Sequence, residues 1–476
     1  MKRRTFMASA GALGMTSVLK PARAITPALR SLSIVRRTIE VNGRAASVYG
    51  IVDENGQPGL HLTPGAPFSV RLENSSDTAS IVHWHGQTPP PDLDGVAETG
   101  YVPPLANGEV RDYAFSPRPG THWMHAHTGL LEQSLLAAPL VVQAPEDARS
   151  DAQDVTIILH DFSFRPPEEL LADLIGPAQK ADAMPMAGMD MSGGQMDMGS
   201  SMGSMDMSGA DLNDVQYDAF LANDRTLADP FVAHIERSGR VRLRVINGAS
   251  ATGFWIDFGG SDASLIATDG NPVRPYVGSR FPIAEAQRLD FLVSLKPGEV
   301  LPVYAQREGD VARTGIVLAT AGAVVPKLAA EASTAAAPLD LSVETRLSAL
   351  KGLLTRPADV RHTIELAGSM SPYRWTINSQ TFADRTPLTV KAGQRVELEF
   401  ANQTAMAHPM HLHGHHFQLV GLNGKRLNGP MRDTLLVPPM ASAVVAFDAD
   451  NPGRWLYHCH NLYHMAAGMM GELVYT

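Results

Sequence analysis

Three things are scarce in this chain of 476 residues, and each scarcity narrows what the protein does. It has one cysteine, Cys459, so no internal disulfide staples the fold. Basic residues are outnumbered, 39 Lys and Arg against 49 Asp and Glu, for a formal net charge of −10. That balance argues against nucleic acid as a partner. No segment reaches the roughly 20 apolar residues that span a bilayer, so no membrane-crossing helix is expected.

What is present begins with an export signal over residues 1–24. Lys2-Arg3-Arg4-Thr5-Phe6 gives a basic start, a short apolar stretch runs from Phe6 to Leu19, and Ala22-Arg23-Ala24 supplies a small-x-small cleavage site. The paired arginines resemble a twin-arginine signal, with a Sec signal as the alternative. Cleavage after about Ala24 removes five positive residues and no acidic one, which moves the net charge from −10 to −15. The expected location is periplasmic. Exported proteins normally use cysteines in pairs, so the single Cys459 calls for its own explanation.

The remaining length suits roughly two to four domains. Short β-type runs broken by Gly, Pro and Asn, such as Phe68-Ser69-Val70-Arg71-Leu72 and Pro139-Leu140-Val141-Val142, read as all-β sandwiches. One unit then recurs. The stretch Gly65 to Asn74 is matched by Gly393 to Asn402, and a third run, Val241 to Ile246, ends at Asn247. Nine residues past Asn74 and Asn402 stand His83 and His411, each opening a His-x-His-Gly; nine past Asn247 stands Ile256. Five residues past Gly120 comes His125-Ala126-His127, and five past Gly453 comes His458-Cys459-His460. Three similar domains are expected, at 25–147, 154–322 and 345–476, with a linker over 323–344 whose Ala-rich part is 323–338. The middle copy should carry no metal. Residues 184–209 are low complexity and hold nine of the 21 methionines: Met184, Met186, Met189, Met191, Met196, Met198, Met202, Met205 and Met207. So much Gly and Ser predicts no packed core there.

Ten of the 17 histidines fall in four groups: His83 and His85; His125 and His127; His408, His411 and His413; His458, His460 and His464. Alternate side chains of a strand point to opposite faces, so His458 and His460 face one way and Cys459 the other. One strand then serves two metal centres. Cys459, His408, His464 and Met469 make the two His, one Cys and weak axial Met of a blue-copper site. The eight histidines His83, His85, His125, His127, His411, His413, His458 and His460 exceed what one metal accepts. They converge only if the first and third domains face each other, and they should then hold a cluster. A lone His-x-His is commonplace; four at matched repeat positions are not. His122, His415 and His416 lie beside the ligand stretches, while His61, His160, His234 and His362 read as structural.

The four segments resemble the copper-ligand motifs of the multicopper oxidases over essentially the whole mature chain, most of all the periplasmic copper-resistance oxidases of the CopA and CueO types. The resemblance implies three cupredoxin-like Greek-key sandwiches and four coppers per chain: one type 1, one type 2 and two type 3. By motif position His83 and His411 correspond to type 2 ligands, and His85, His125, His127, His413, His458 and His460 to type 3 ligands. It implies electron passage from the Cys459 sulfur to His458 and His460, four-electron reduction of O2 to water, and Asp94 as proton donor. One residue departs from the pattern: the glutamate that CueO-like and spore-coat laccases carry after the second type 1 histidine is Met465 here.

An axial Met469 lowers the redox potential relative to Leu or Phe and suits an easily oxidised donor. Thioethers select Cu(I), so 184–209 reads as a Cu(I)-collecting arm, and Met406 resembles a substrate-copper ligand, although the aspartate expected two residues earlier is Thr404. The expectation is a monomeric exported oxidase that uses O2 to oxidise Cu(I), or a small aromatic reductant, in copper tolerance. A general laccase and a copper-sequestering protein are the alternatives.

Overall fold

The structure, a computed structural model, describes residues 29–176, 212–236 and 239–476. The export signal (1–24) and the methionine-rich segment (184–209) lie outside the described residues. Strands form six sheets that fall in three pairs along the chain. The first pair sets Arg30–Val41, Arg44–Asp53, Phe68–Asn74 and Val110–Phe115 against Leu60–Leu62, Val82–His83, Gly120–Ala126 and Ala137–Val142. A six-stranded and a five-stranded sheet make the second pair, and a seven-stranded and a five-stranded sheet the third. Each pair encloses one large apolar core fed by both of its sheets. The fold is thus all-β, three cupredoxin-like sandwiches. Among the described residues no helix is long and apolar enough to cross a membrane.

Side-chain alternation explains the strands. Phe68–Asn74 buries Phe68, Val70, Leu72 and Asn74 and turns Arg71 and Glu73 to solvent. The asparagine closing this strand in each copy does the same work three times. Asn74 Oδ1 accepts from the amide two residues on, and its Nδ2 donates to the Thr78 carbonyl. Asn247 accepts from Ala249 and donates to Thr252. Asn402 accepts from Thr404 and donates to Met406. Each side chain stands in for a backbone turn and redirects the chain toward the next strand.

The register beyond that turn repeats as well. His83 pairs with His125, His411 with His458, and in the middle copy Ile256 with Ala305. Where the outer copies place imidazoles, the middle copy fills the same positions with apolar side chains that join its core. The Ala-rich stretch after residue 322 lies along the second sandwich: Arg313 donates its amide to the Ala330 carbonyl at 2.9 Å and Ala332 to Val311 at 2.7 Å.

Candidate metal centres

The four residues expected of a blue-copper site assemble around one strand and one helical turn. Strand Arg454–Cys459 brings in the thiol, and strand His408–Leu412 pairs with it so that Met410 lies opposite Cys459. Asn461 then caps the short helix Leu462–Ala466, its Oδ1 accepting from the amides of Tyr463 and His464. That cap swings His464 back over the strand. Cys459 Sγ lies 3.6 Å from Nδ1 of His408 and 3.7 Å from Nδ1 of His464, and the two nitrogens are 3.1 Å apart. All three residues are buried. Met469 is buried beside them; its amide donates to the His464 carbonyl and its own carbonyl accepts from the Cys459 amide. The outer nitrogens are held too. Nε2 of His408 meets the Thr404 hydroxyl at 2.8 Å, and Nε2 of His464 meets Oδ2 of Asp214 at 3.0 Å. Burial alone would raise the Asp214 carboxyl, but His464, Tyr373 and Asn461 together hold it below its usual range.

The other eight histidines meet where the first and third sandwiches face each other. His83 and His413 have ring centroids 4.0 Å apart, His85 and His411 3.8 Å, and His127 and His458 5.5 Å. Seven of the eight rings have one nitrogen turned outward within 3.2 Å of a partner. Nδ1 of His83 meets the Asp94 carbonyl at 3.0 Å, and Nδ1 of His413 meets the Asp94 carboxylate at 2.8 Å. Nδ1 of His125 faces Glu132 at 2.7 Å, Nδ1 of His127 faces Glu98 at 3.2 Å, and Nδ1 of His411 faces the Asp433 carbonyl at 2.8 Å. Nδ1 of His458 faces the Cys459 carbonyl at 2.9 Å, and Nδ1 of His460 lies 3.8 Å from Glu132. His85 is reversed: its Nε2 turns outward, to Asp433 at 3.1 Å and Thr434 at 3.2 Å, and Nδ1 points in.

The inward nitrogens test whether a metal fits. Nε2 of His83, His125, His127, His411 and His460 and Nδ1 of His85 are buried and have no hydrogen-bond partner among the described residues. Nε2 of His413 and His458 face each other at 3.1 Å. Stranding so many acceptors would cost about 1–3 kcal/mol each. Metal coordination relieves that cost, and outer-nitrogen partners are what metal-binding imidazoles require. Burial drives His85, His125, His411 and His458 well below the ordinary histidine range and brings His413 and His460 down to about 3. They are neutral at pH 7, the form that binds metal. His127 goes the other way, raised because Glu98 outweighs burial. Imidazoles joined to a buried thiol are a donor set for copper.

Several partners were not legible as motifs. Asp433, Glu132, Glu98 and Asp214 stand at no fixed spacing from the histidines they hold. Of the three neighbouring histidines, His416 bonds the Gly86 carbonyl and the Asn271 side chain, while His415 bonds the His413 carbonyl and the Tyr475 hydroxyl. His122 packs against Gly86, whose backbone is left-handed (φ +86°) and has no room for a Cβ between His122, Arg288 and Asp433. That crowding explains the glycine of His83-Trp84-His85-Gly86. His160 is buried and bonds the Gly248 carbonyl, away from both centres.

A cavity of about 410 Å³ opens beside the strand that carries His408. Met406, Glu285, Glu308, Leu339, Leu436 and Asn461 are among its walls. Glu285 is 7% exposed, and among the described residues no other bonds its carboxyl; burial, reinforced by Glu308, Asp161 and Asp214, pushes it up to about 8.

A fold and a donor set of this kind define a copper-dependent oxidoreductase. The chain belongs to the multicopper oxidase family: models described as multicopper oxidase match residues 33–147, 153–314 and 355–476. Members of this family are copper enzymes that use O2 as electron acceptor. The chain is 32% identical to the multicopper oxidase MmcO of Mycobacterium tuberculosis, over 98% of this chain and 92% of that protein. It is 26% identical to copper resistance protein A of Pseudomonas syringae pv. tomato, over 99% and 98%. Among solved structures, Fet3p, a multicopper oxidase that functions in iron import, superposes with a TM-score of 0.75 at 18% identity, covering 94% of this chain and 90% of that one.

Proposed function

We propose that this protein is an exported, periplasmic, monomeric multicopper oxidase that oxidises Cu(I) at the expense of O2 and serves copper tolerance. Its domains are read as 25–147, 154–322 and 345–476, and it holds four coppers. His408, Cys459, His464 and Met469 hold type 1; His83 and His411 hold type 2; His85, His125, His127, His413, His458 and His460 hold the type 3 pair. Copper at these positions supplies one-electron oxidation of the donor and four-electron reduction of O2 to water.

The observation that carries the Cu(I) reading is the cavity beside His408, where a thioether and two carboxyls meet. Met406 offers a soft donor two residues from a type 1 ligand, while Glu285 and Glu308 supply the carboxyls that Thr404 does not. Asp94 is the proton donor of this reading. One of its oxygens holds His413, and the other, also buried, lies 3.4 Å from Nδ1 of His83. The relatives named for copper resistance fit the same role.

Two measurements test it. Oxygen uptake with Cu(I) as sole donor should be rapid, whereas a copper store would consume none. Deleting 184–209 should slow Cu(I) oxidation and spare dye oxidation; unchanged Cu(I) oxidation would remove the collecting role of that segment. The apolar wall formed by Leu339, Leu436 and Pro438 favours a second reading, a laccase acting on small aromatic donors, which predicts saturable phenol oxidation insensitive to Met406→Leu.

A further inference from the structure

The middle domain supplies no copper ligand in the family pattern, yet it reaches the eight-histidine site through one side chain. Arg288 is fully buried on strand Arg288–Ser294. Its Nη1 and Nη2 hold the two carboxylate oxygens of Asp433 at 2.6 and 2.5 Å. Its Nε donates to the Thr121 carbonyl of the first domain at 3.2 Å, and Nη1 also donates to the Ala286 carbonyl of its own. One guanidinium therefore ties all three domains together. Asp269, also of the middle domain, accepts from the amides of Arg288, Asp433 and Thr434, which fixes the backbone on both sides of the pair.

Asp433 sits at the point where the histidines differ. Its Oδ1 lies 3.1 Å from Nε2 of His85, and its carbonyl lies 2.8 Å from Nδ1 of His411. His85 is the one ring of the eight that turns Nε2 outward. A carboxylate acceptor at Nε2 keeps the proton there and leaves the Nδ1 lone pair facing the cluster. A carboxylate that is free to rotate would not select that tautomer. The planar fork of Arg288 removes the rotation, because both oxygens are engaged at once.

We propose that Arg288 is a positioning residue for the metal cluster: it immobilises Asp433, and Asp433 in turn presents His85 through Nδ1. The ligand-free domain thereby sets the geometry of a site built from the other two. The inference rests on the reading that the eight histidines hold copper.

Arg288→Lys keeps the charge and loses the fork. In the copper-loaded full-length protein it should retain the blue band and the copper behind it, since His408, Cys459 and His464 make no contact with Asp433. Copper bound beyond the blue site should fall, and the electron paramagnetic resonance signal of the remaining copper should change. Turnover at saturating donor should drop tenfold or more with the donor KM unchanged. Asp433→Asn, which keeps the carbonyl to His411 and removes the carboxylate, should reproduce each effect, and it decides the matter alone if Arg288→Lys fails to fold. Wild-type copper count, resonance spectrum and turnover in the variants would overturn the proposal, as would loss of blue and cluster copper in equal proportion. Wild-type protein with blue copper and none beyond it would overturn the eight-histidine reading and this inference together; a full wild-type complement with unaffected variants would overturn this inference alone.

Discussion

The carboxyl of Glu132 stands 2.7 Å from the outer nitrogen of His125 and 3.8 Å from that of His460, between a histidine of the first domain and one of the third. It is 3% exposed and shares a small cavity with His127, His458 and Met465. Removing a partner of this kind typically costs about 10–100-fold in metal affinity or activity. Glu132→Ala should therefore lower copper occupancy and oxidase rate by about that factor, while Glu132→Gln, which keeps an acceptor for His125, should lose less. Equal losses in the two variants would mean that packing, not the hydrogen bond, matters at this position. Copper analysis and oxygen uptake measure both.

Cys459→Ser replaces the thiol sulfur that faces both His408 and His464 with an oxygen of similar placement. The blue band should vanish and steady-state donor oxidation fall to background, with the eight-histidine copper retained. Visible absorption and a copper count per chain check this; persistent blue colour would mean the colour arises elsewhere.

Asp214 sits on the outer nitrogen of His464 and is itself held by Tyr373 and Asn461 at 3.0 and 3.1 Å. A carboxylate there makes the imidazole a stronger donor and favours the oxidised metal. Asp214→Asn should raise the type 1 potential. A redox titration of the blue band reads the change, and an unchanged or lowered potential would contradict it.

Glu285 gives a pH dependence with a definite sign. Burial, then Glu308, Asp161 and Asp214, push its carboxyl up to about 8, against about 4.3 in an unfolded chain. Between those values the folded state keeps a proton that the unfolded state has released. The stabilisation is complete below about pH 4.3 and is lost as pH rises through about 8. Its size is on the order of a few kcal/mol. Melting temperature should fall from pH 5 to 8.5 in the wild type and fall less in Glu285→Gln. If the cavity admits Cu(I), the KM for Cu(I) should drop over the same upper range as the carboxyl ionises.

The histidines that the structure gathers were readable in the sequence because the repeat marks its own positions. Asn74, Asn247 and Asn402 served as ruler marks for the histidines nine residues on, and the structure gives the physical reason: each is the buried turn that launches the next strand. Strand alternation likewise separated Cys459 from His458 and His460. What could not be read were the groups that hold the outer nitrogens. Asp433 is 348 residues from His85, and Asp94, though singled out, is 319 from the His413 it holds, so only the docked domains bring each pair together. The cavity beside His408 was half legible. Met406 was singled out by its place before a ligand, whereas Glu285 and Glu308 come from another domain and carry no spacing signal. The Ala-rich stretch read as a linker from its composition, and its hydrogen bonds to the second sandwich depend on residues that a local window does not contain.

The facing of the first and third domains has a consequence for timing. The histidines from His83 to His127 are synthesised before those from His411 to His460, with the whole middle domain between them. No partial chain can gather the set, and a chain clipped between the outer domains keeps it only while they stay docked. The eight-histidine site therefore forms only once His460 has been made and the outer domains have docked around Arg288. A stalled or truncated product declares itself by failing to load.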